Sequence, residues 1–229
     1  MNILALDLGK FNTMCCFFDS KTRKHRFLNA ATERHYLTTV LKSQKIDLVV
    51  MEACGPSGWV SDLAQSLGHK TLVCSTNEDA WRWSNVKRKT DKDDALKLAR
   101  MAAMQELKAV HMPSPEQREF RSLVKYRKTL DYRINIMKCT IRAWFVNHGI
   151  SIDSGEKAWN TGRARINSFR KPLAECQPNE LWRGELDLEL TQFDALAKQL
   201  DLVVKKLESI GKSDPRRMCL GLVALQPVG

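Results

Sequence analysis

Apolar positions in the first seventy-five residues come in short runs separated by turn residues. "NILALDLG" (2–9) is an apolar run ending in Asp-x-Gly, which predicts a buried strand with a turn behind it. "TMCCFFD" (13–19) suits the second strand of a hairpin and "KHRFLNA" (24–30) a third. Residues 31–43 place Leu37, Val40 and Leu41 on one helical face. "IDLVVMEACGPSGW" (46–59) then predicts an apolar strand, with Glu52 just past its centre and a Gly/Pro turn after it. "WVSDLAQSLG" (59–68) reads as a helix closed by Gly68, and "KTLVCS" (70–75) as a further strand. Strands alternating with helices after an opening meander predict an α/β fold, a mixed sheet with flanking helices.

After Pro113 and Pro115 the period lengthens. Phe120, Leu123, Leu130, Ile134, Met137, Ile141 and Trp144 recur at three- and four-residue steps, with Arg127 the one polar residue in the seam. Phe193, Leu196, Leu200, Val203, Leu207 and Ile210 repeat the spacing. Each stripe runs for roughly three heptads, which predicts a helical coiled-coil region that pairs with itself or with a second subunit, in a dimer or tetramer. Two amphipathic helices packed in one domain would give the same pattern. Between the stripes, residues 151–185 hold two Pro, three Gly, Trp159, Trp182 and several Arg, the composition of a mobile connector.

Charge narrows the partner. The net charge is +11, and residues 1–150 carry 25 basic against 15 acidic side chains. Clustered Lys and Arg that neutralise phosphates release counterions, so nucleic acid is the leading candidate. "EDAWRWSNVKRK" (78–89) sets Trp81 and Trp83 beside Arg82, Lys87, Arg88 and Lys89, although an indole there also suits a core. Arg118, Arg121, Lys125, Arg127, Lys128 and Arg133 form a run that is either a solvated helix face or a backbone contact. Lys10, Arg82, Lys87, Arg88, Lys89, Arg121, Lys125 and Lys128 are taken as the nucleic-acid contacts. The seven cysteines show no CxxC pair and no disulfide framework, and no apolar run spans a bilayer. With no signal-peptide pattern, a cytoplasmic protein with reduced thiols and no membrane association is expected.

The candidate chemistry lies in carboxylates. Asp7 closes the first strand, Glu52 closes "DLVVM", and "KTDKDDA" opens a helix with Asp91, Asp93 and Asp94. Groups at the carboxyl ends of neighbouring strands in α/β sheets surround one crevice. Asp91 and Asp94, at i and i+3, share a helix face, and Asp93 points away from both. Two strand-end carboxylates plus such a pair suit hard divalent cations, magnesium before zinc, because oxygen donors predominate and the five His are dispersed. Taken singly, Asp7 also suits a turn and Asp91 a helix cap. Ser57 in "CGPSGW" fits a helix start better than a nucleophile elbow, since the pattern is not G-x-S-x-G.

"LALDLGKFNT", "VVMEACGPSGW" and "VKRKTDKDDALKLAR" resemble the three motif blocks of the DEDD transposases. These are insertion-sequence recombinases with a RuvC-like, RNase H-like N-terminal domain, related to Piv-type invertases. "SPEQREFRSLVKYRKTLDYRINIMKCTIRAWFVNHGI" resembles their coiled-coil helix, and "LGLVALQPVG" the beginning of their C-terminal transposase domain. The resemblance implies a RuvC-like domain over 1–112, a helical coiled-coil region over 113–215 and a truncated C-terminal domain from 216 to 229. It makes Asp7, Glu52, Asp91 and Asp94 the catalytic tetrad, holding magnesium or manganese, and gives Asp93 no ligand role. It further implies transposase and site-specific recombinase activity on DNA, guided in some members by a bridge RNA. In those members a serine of the C-terminal domain is the nucleophile. A chain that stops at Gly229 lacks it and is expected to be inactive alone. Two alternatives come from other classes: an RNA- and DNA-binding dimerisation module, and a RuvC-like nuclease without recombinase activity. "ALDLGKFNT" also resembles the first phosphate loop of sugar kinases and actin-like ATPases, but the second phosphate-binding repeat is not found.

Overall fold

The computed structural model describes residues 1–75 and 90–213, and the chain divides after Pro115 into two compact units. In the first, strands β1 (Asn2–Leu8), β2 (Asn12–Asp19), β3 (His25–Ala31), β4 (Leu48–Glu52) and β5 (Thr71–Cys74) form one sheet in the order β3-β2-β1-β4-β5. β2 runs antiparallel to β1 and β3, whereas β4 runs parallel to β1 and β5. This mixed five-stranded sheet with its helices is consistent with the RNase H-like expectation.

Helices α1 (Arg34–Lys42) and α2 (Ser57–Ser66) cover one face, where Leu37, Leu41 and Val60 meet Leu4, Leu6, Val49 and Met51. Both crossovers progress the same way across the sheet, so their common hand places them on one side. Helix α3 (Asp91–Ala103) covers the other face, where Ala95, Leu98 and Ala99 meet Ile3, Ala5 and Val50. Strands β1 and β4 are therefore buried on both sides and read as unbroken apolar runs. Neighbouring Cys15 and Cys16 on β2 belong one to each core. Burial pushes their thiols up to about 12 and about 11. Helix α2 begins at Ser57, two residues earlier than its pattern predicts, because the Ser57 hydroxyl donates to the Cys54 carbonyl (2.8 Å) and turns the chain. Gly68, in the left-handed region at φ 85°, follows its last turn.

The second unit contains α4 (Pro115–Asn147), α5 (Arg163–Asn167) and α6 (Leu181–Ser213). Ile134, Met137 and Ile141 of the predicted first seam share a core with Leu186, Leu190 and Phe193 of α6. Much of the apolar stripe is thus satisfied within the chain. Phe145 is buried and Trp144 only half-buried, the reverse of the heptad expectation. A helix of 3.6 residues per turn drifts off a strict seven-residue repeat, so burial moves to the next position. Residues 151–180 are not a bare connector: Ala158, Trp159 and Ile166 enter the same core, and Trp159 stacks on Phe193 with centroids 5.4 Å apart. Arg163–Asp194 (2.7 Å) and Arg170–Asp187 (2.6 Å) tie the segment to α6, which takes in the connector's last five positions. Among the described residues, no helix is long and apolar enough to cross a membrane.

Candidate functional site

Asp7 and Glu52 are brought to one place by strand register. β1 and β4 pair in parallel with Ile3 opposite Leu48 and Leu6 opposite Met51, so the next pair in register is Asp7 and Glu52. Side chains alternate along a strand. Asp7 follows Ile3 and Ala5, and Glu52 follows Leu48 and Val50, on the face that α3 covers. Two carboxylates therefore stand on adjacent strands, on one face, at the carboxyl ends of both. Their proximity registers on Cys54. Burial pushes that thiol up, a backbone hydrogen bond at Ser57 pulls it down, and the charges of Glu52 and Asp7 both push it up again. Its Sγ lies 3.9 Å from the Leu8 carbonyl, bridging the two strand ends.

Helix α3 brings the other carboxylates to the same end. Its last turn, through Arg100, Ala103 and Met104, lines a cavity together with Phe18 and Ser20. Phe18 and Ser20 flank Asp19, which pairs with Asn2 at the start of β1. The first turn of α3 is consequently directed toward the opposite end, where Asp7 and Glu52 lie. Asp91 and Asp94 stand one turn before Ala95 and Leu98, which pack on the sheet, and so continue the same helix stripe. Asp94 is half-buried and Asp91 exposed.

The cap is made by Thr90 and Asp93, not by Asp91. Thr90 is the N-cap: its hydroxyl accepts from the Asp93 N–H (3.3 Å), and the Asp93 carboxylate accepts from both the Thr90 hydroxyl (2.7 Å) and its N–H (3.3 Å). This reciprocal box satisfies orphan donors of the first turn. Asp93 is thus committed to the cap, which leaves Asp91 without that duty. Among the described residues, no three His, Cys, Asp or Glu side chains are gathered closely enough to hold a metal. All four side chains are hard oxygen donors, the type that suits magnesium or manganese.

The turn after β1 is held in detail. Gly9 N–H donates to the Asn12 carbonyl (3.0 Å), and a Cβ on Gly9 would run into that oxygen, so glycine is required. Thr32 fastens the turn from β3: its N–H donates to the Phe11 carbonyl (2.9 Å) and its hydroxyl to that of Gly9 (2.9 Å). Lys10 is exposed at the tip. Arg121, Lys125 and Lys128 are exposed along α4, in the other unit. Arg127 leaves the basic run, because it is buried and paired with Asp131 at 3.0 Å. Arg82, Lys87, Arg88 and Lys89, with Trp81 and Trp83, lie outside the described residues, as does the segment 216–229.

Two residues near the site escape a reading by residue type. Lys97 is buried on α3 three positions after Asp94, while Lys92 and Arg100 are exposed. Its place in the Ala95, Leu98, Ala99 stripe was the available signal. Cys54, two residues after Glu52, is close enough to feel both strand carboxylates.

The IS110-type DEDD transposase family, described as transposase, matches residues 4–147, from β1 to the end of α4. The transposase for insertion sequence element IS1111A of Coxiella burnetii is 27% identical over 158 residues, covering 69% of this chain and 42% of its own length. The y4qE protein of Sinorhizobium fredii is 30% identical over 106 residues, covering 46% of this chain and 27% of its own. The chain spans less than half the length of these curated relatives. The family match runs over more than half of the chain and takes in Asp7, Glu52, Asp91 and Asp94, so the chain belongs to the IS110-type DEDD transposase family.

Proposed function

We propose that the chain is the metal- and nucleic-acid-binding portion of an insertion-sequence recombinase, with Asp7, Glu52, Asp91 and Asp94 as ligands of magnesium or manganese. The observation that carries the proposal is the parallel register of β1 and β4, which puts Asp7 and Glu52 one step beyond the Leu6–Met51 pair on the sheet face that α3 covers. The four carboxylates would hold a divalent cation, whose charge would stabilise the oxygens of a phosphoryl transfer. In the α/β unit Lys10 at the tip contacts phosphates of the strand beside the carboxylates; in the other unit Arg121, Lys125 and Lys128 along α4 form a separate basic face for DNA or a guide RNA. Strand exchange additionally needs a nucleophile, which the family resemblance places in a further C-terminal domain.

The test is calorimetric titration of the 229-residue chain with Mn2+, beside Asp7→Asn, Glu52→Gln, Asp94→Asn and Asp93→Asn. Binding that the first three abolish and the fourth leaves intact is expected. Equal binding by all four variants, or none by the parent chain, overturns the assignment.

A binding module that assembles through α4 is a second reading, and one observation favours it. Tyr132, Ile136, Cys139, Ala143 and Val146 are all exposed at four- and three-residue steps, a second seam beside the one spent in the core. Self-association of the chain as a dimer or tetramer belongs on that face. A parent chain that binds DNA and self-associates while binding no metal would favour this reading over recombination.

A further inference from the structure

We infer that the tip of the β1–β2 turn is a stacking platform for an unpaired DNA base, with Phe11 as the stacking ring. The inference rests on the proposed nucleic-acid function and adds a residue and a mode of contact to it. Phe11 is 73% exposed, whereas Phe17 and Phe18 on the following strand are buried. A ring left in water loses the stabilisation that burial gives its neighbours. Nothing in the fold requires an aromatic here, because the turn is built by its backbone: Gly9, Phe11 and Asn12 supply main-chain groups that Thr32 and the ladder bind. The ring therefore stands on a rigid base and has little backbone freedom to lose on binding.

Lys10 supplies the second half of the contact. Its Nζ lies over one face of the Phe11 ring, 5.1 Å from the centroid, so a largely exposed flat apolar surface has an ammonium against it. A single strand offers that combination in reverse, a flat base with a phosphate beside it, and stacking of bases on aromatic rings next to cations is the sequence-tolerant way to hold it. An aliphatic protein partner would use the ring but not the ammonium beside it. Position points to DNA near the reacting phosphate: β1 ends at Leu8, one residue past Asp7, and the turn follows directly. A base clamped on Phe11 fixes the register of the strand that passes the carboxylates.

The experiment uses the full chain and single-stranded oligodeoxynucleotides carrying 2-aminopurine, with RNA of the same sequence as a parallel arm. Wild type is expected to bind the DNA and quench the probe. Phe11→Ala and Phe11→Leu are expected to weaken binding about tenfold and abolish the quench, and Phe11→Trp to retain both. The slope of log affinity against log salt should stay unchanged in the Phe11 variants and fall by about one in Lys10→Gln. Circular dichroism confirms that each variant is folded. If wild type binds DNA and Phe11→Leu binds and quenches equally, the platform is refuted and the nucleic-acid function stands. Phe11 dependence confined to the RNA arm refutes the assignment to DNA. Absence of binding to either oligonucleotide removes both proposals.

Discussion

Thr32, just beyond β3, is the most economical place to perturb the site without touching a carboxylate. Its hydroxyl donates to the Gly9 carbonyl (2.9 Å) and lies 2.8 Å from the hydroxyl of Thr13. With its one proton spent on Gly9, Thr32 accepts from Thr13, which is fully buried. Thr32→Val keeps the shape, removes both bonds at about 1 kcal/mol each and leaves the Thr13 hydroxyl unsatisfied at about 1–3 kcal/mol more. The expected loss is about 3–5 kcal/mol. Thr13→Val removes only one bond, since Thr32 keeps Gly9, and costs about 1 kcal/mol. The double variant has no stranded hydroxyl and should be no less stable than Thr32→Val, a coupling of about 1 kcal/mol or more. Hydrogen exchange of peptides covering β1 to β3, measured across a urea series, reads this unit apart from the α4–α6 unit. Losses that simply add, or a Thr32→Val cost below about 0.5 kcal/mol, would refute the clamp.

Other outcomes follow from the same physics. Asp93→Ala breaks the capping box of α3 and should cost about 0.5–2 kcal/mol in thermal melts while leaving Mn2+ affinity unchanged; lost metal binding would show that Asp93 is a ligand. Ile136→Glu, on the exposed α4 stripe, should shift the chain toward monomer in sedimentation velocity without changing its helix content, and an unchanged distribution removes that face as an interface. A hydrogen bond from Lys171, then one from the Gln177 N–H, holds the Glu180 carboxyl below its ordinary 4.5. A depressed carboxyl stabilises the fold above its unfolded value and loses that contribution as pH falls through the folded one. Thermal melts should therefore show a gap between wild type and Glu180→Gln that is constant at neutral pH and closes below the ordinary glutamate range; a gap insensitive to pH contradicts the pairing.

The α/β unit was legible because its signals are local. β1 and β4 carry carboxylates at or next to their last residues, which parallel register brings to the same end of the sheet, and the apolar runs before them are set by burial on both faces. The separation of Asp91 and Asp94 from Asp93 followed from helical geometry alone, yet the assignment of the cap to Thr90 and Asp93 needed the coordinates. The α4 and α6 stripes were legible as amphipathic helices, but the pattern left pairing within one domain and pairing with a second subunit both open, because a heptad pattern states that a face is buried and not by what. Arg127 shows the same limit: its type suggests a solvated charge, while its position in the seam buries it beside Asp131. Residues 151–180 looked loose by composition, although their few aromatics, Trp159 above all, are what dock them. Phe11 was invisible for the opposite reason, since an apolar residue at a strand edge is ordinarily counted as core.

The adjacent thiols of β2 give the molecule a built-in reporter. Cys15 seals one side of the sheet and Cys16 the other, so a reagent that modifies thiolates can reach each only after a different layer has lifted. Lifting α3 alone would expose Cys16 and spare its neighbour, and lifting α1 and α2 would do the converse. The order in which two consecutive residues become labelled would then tell which side of the sheet opens first, at single-residue spacing and without any engineered probe.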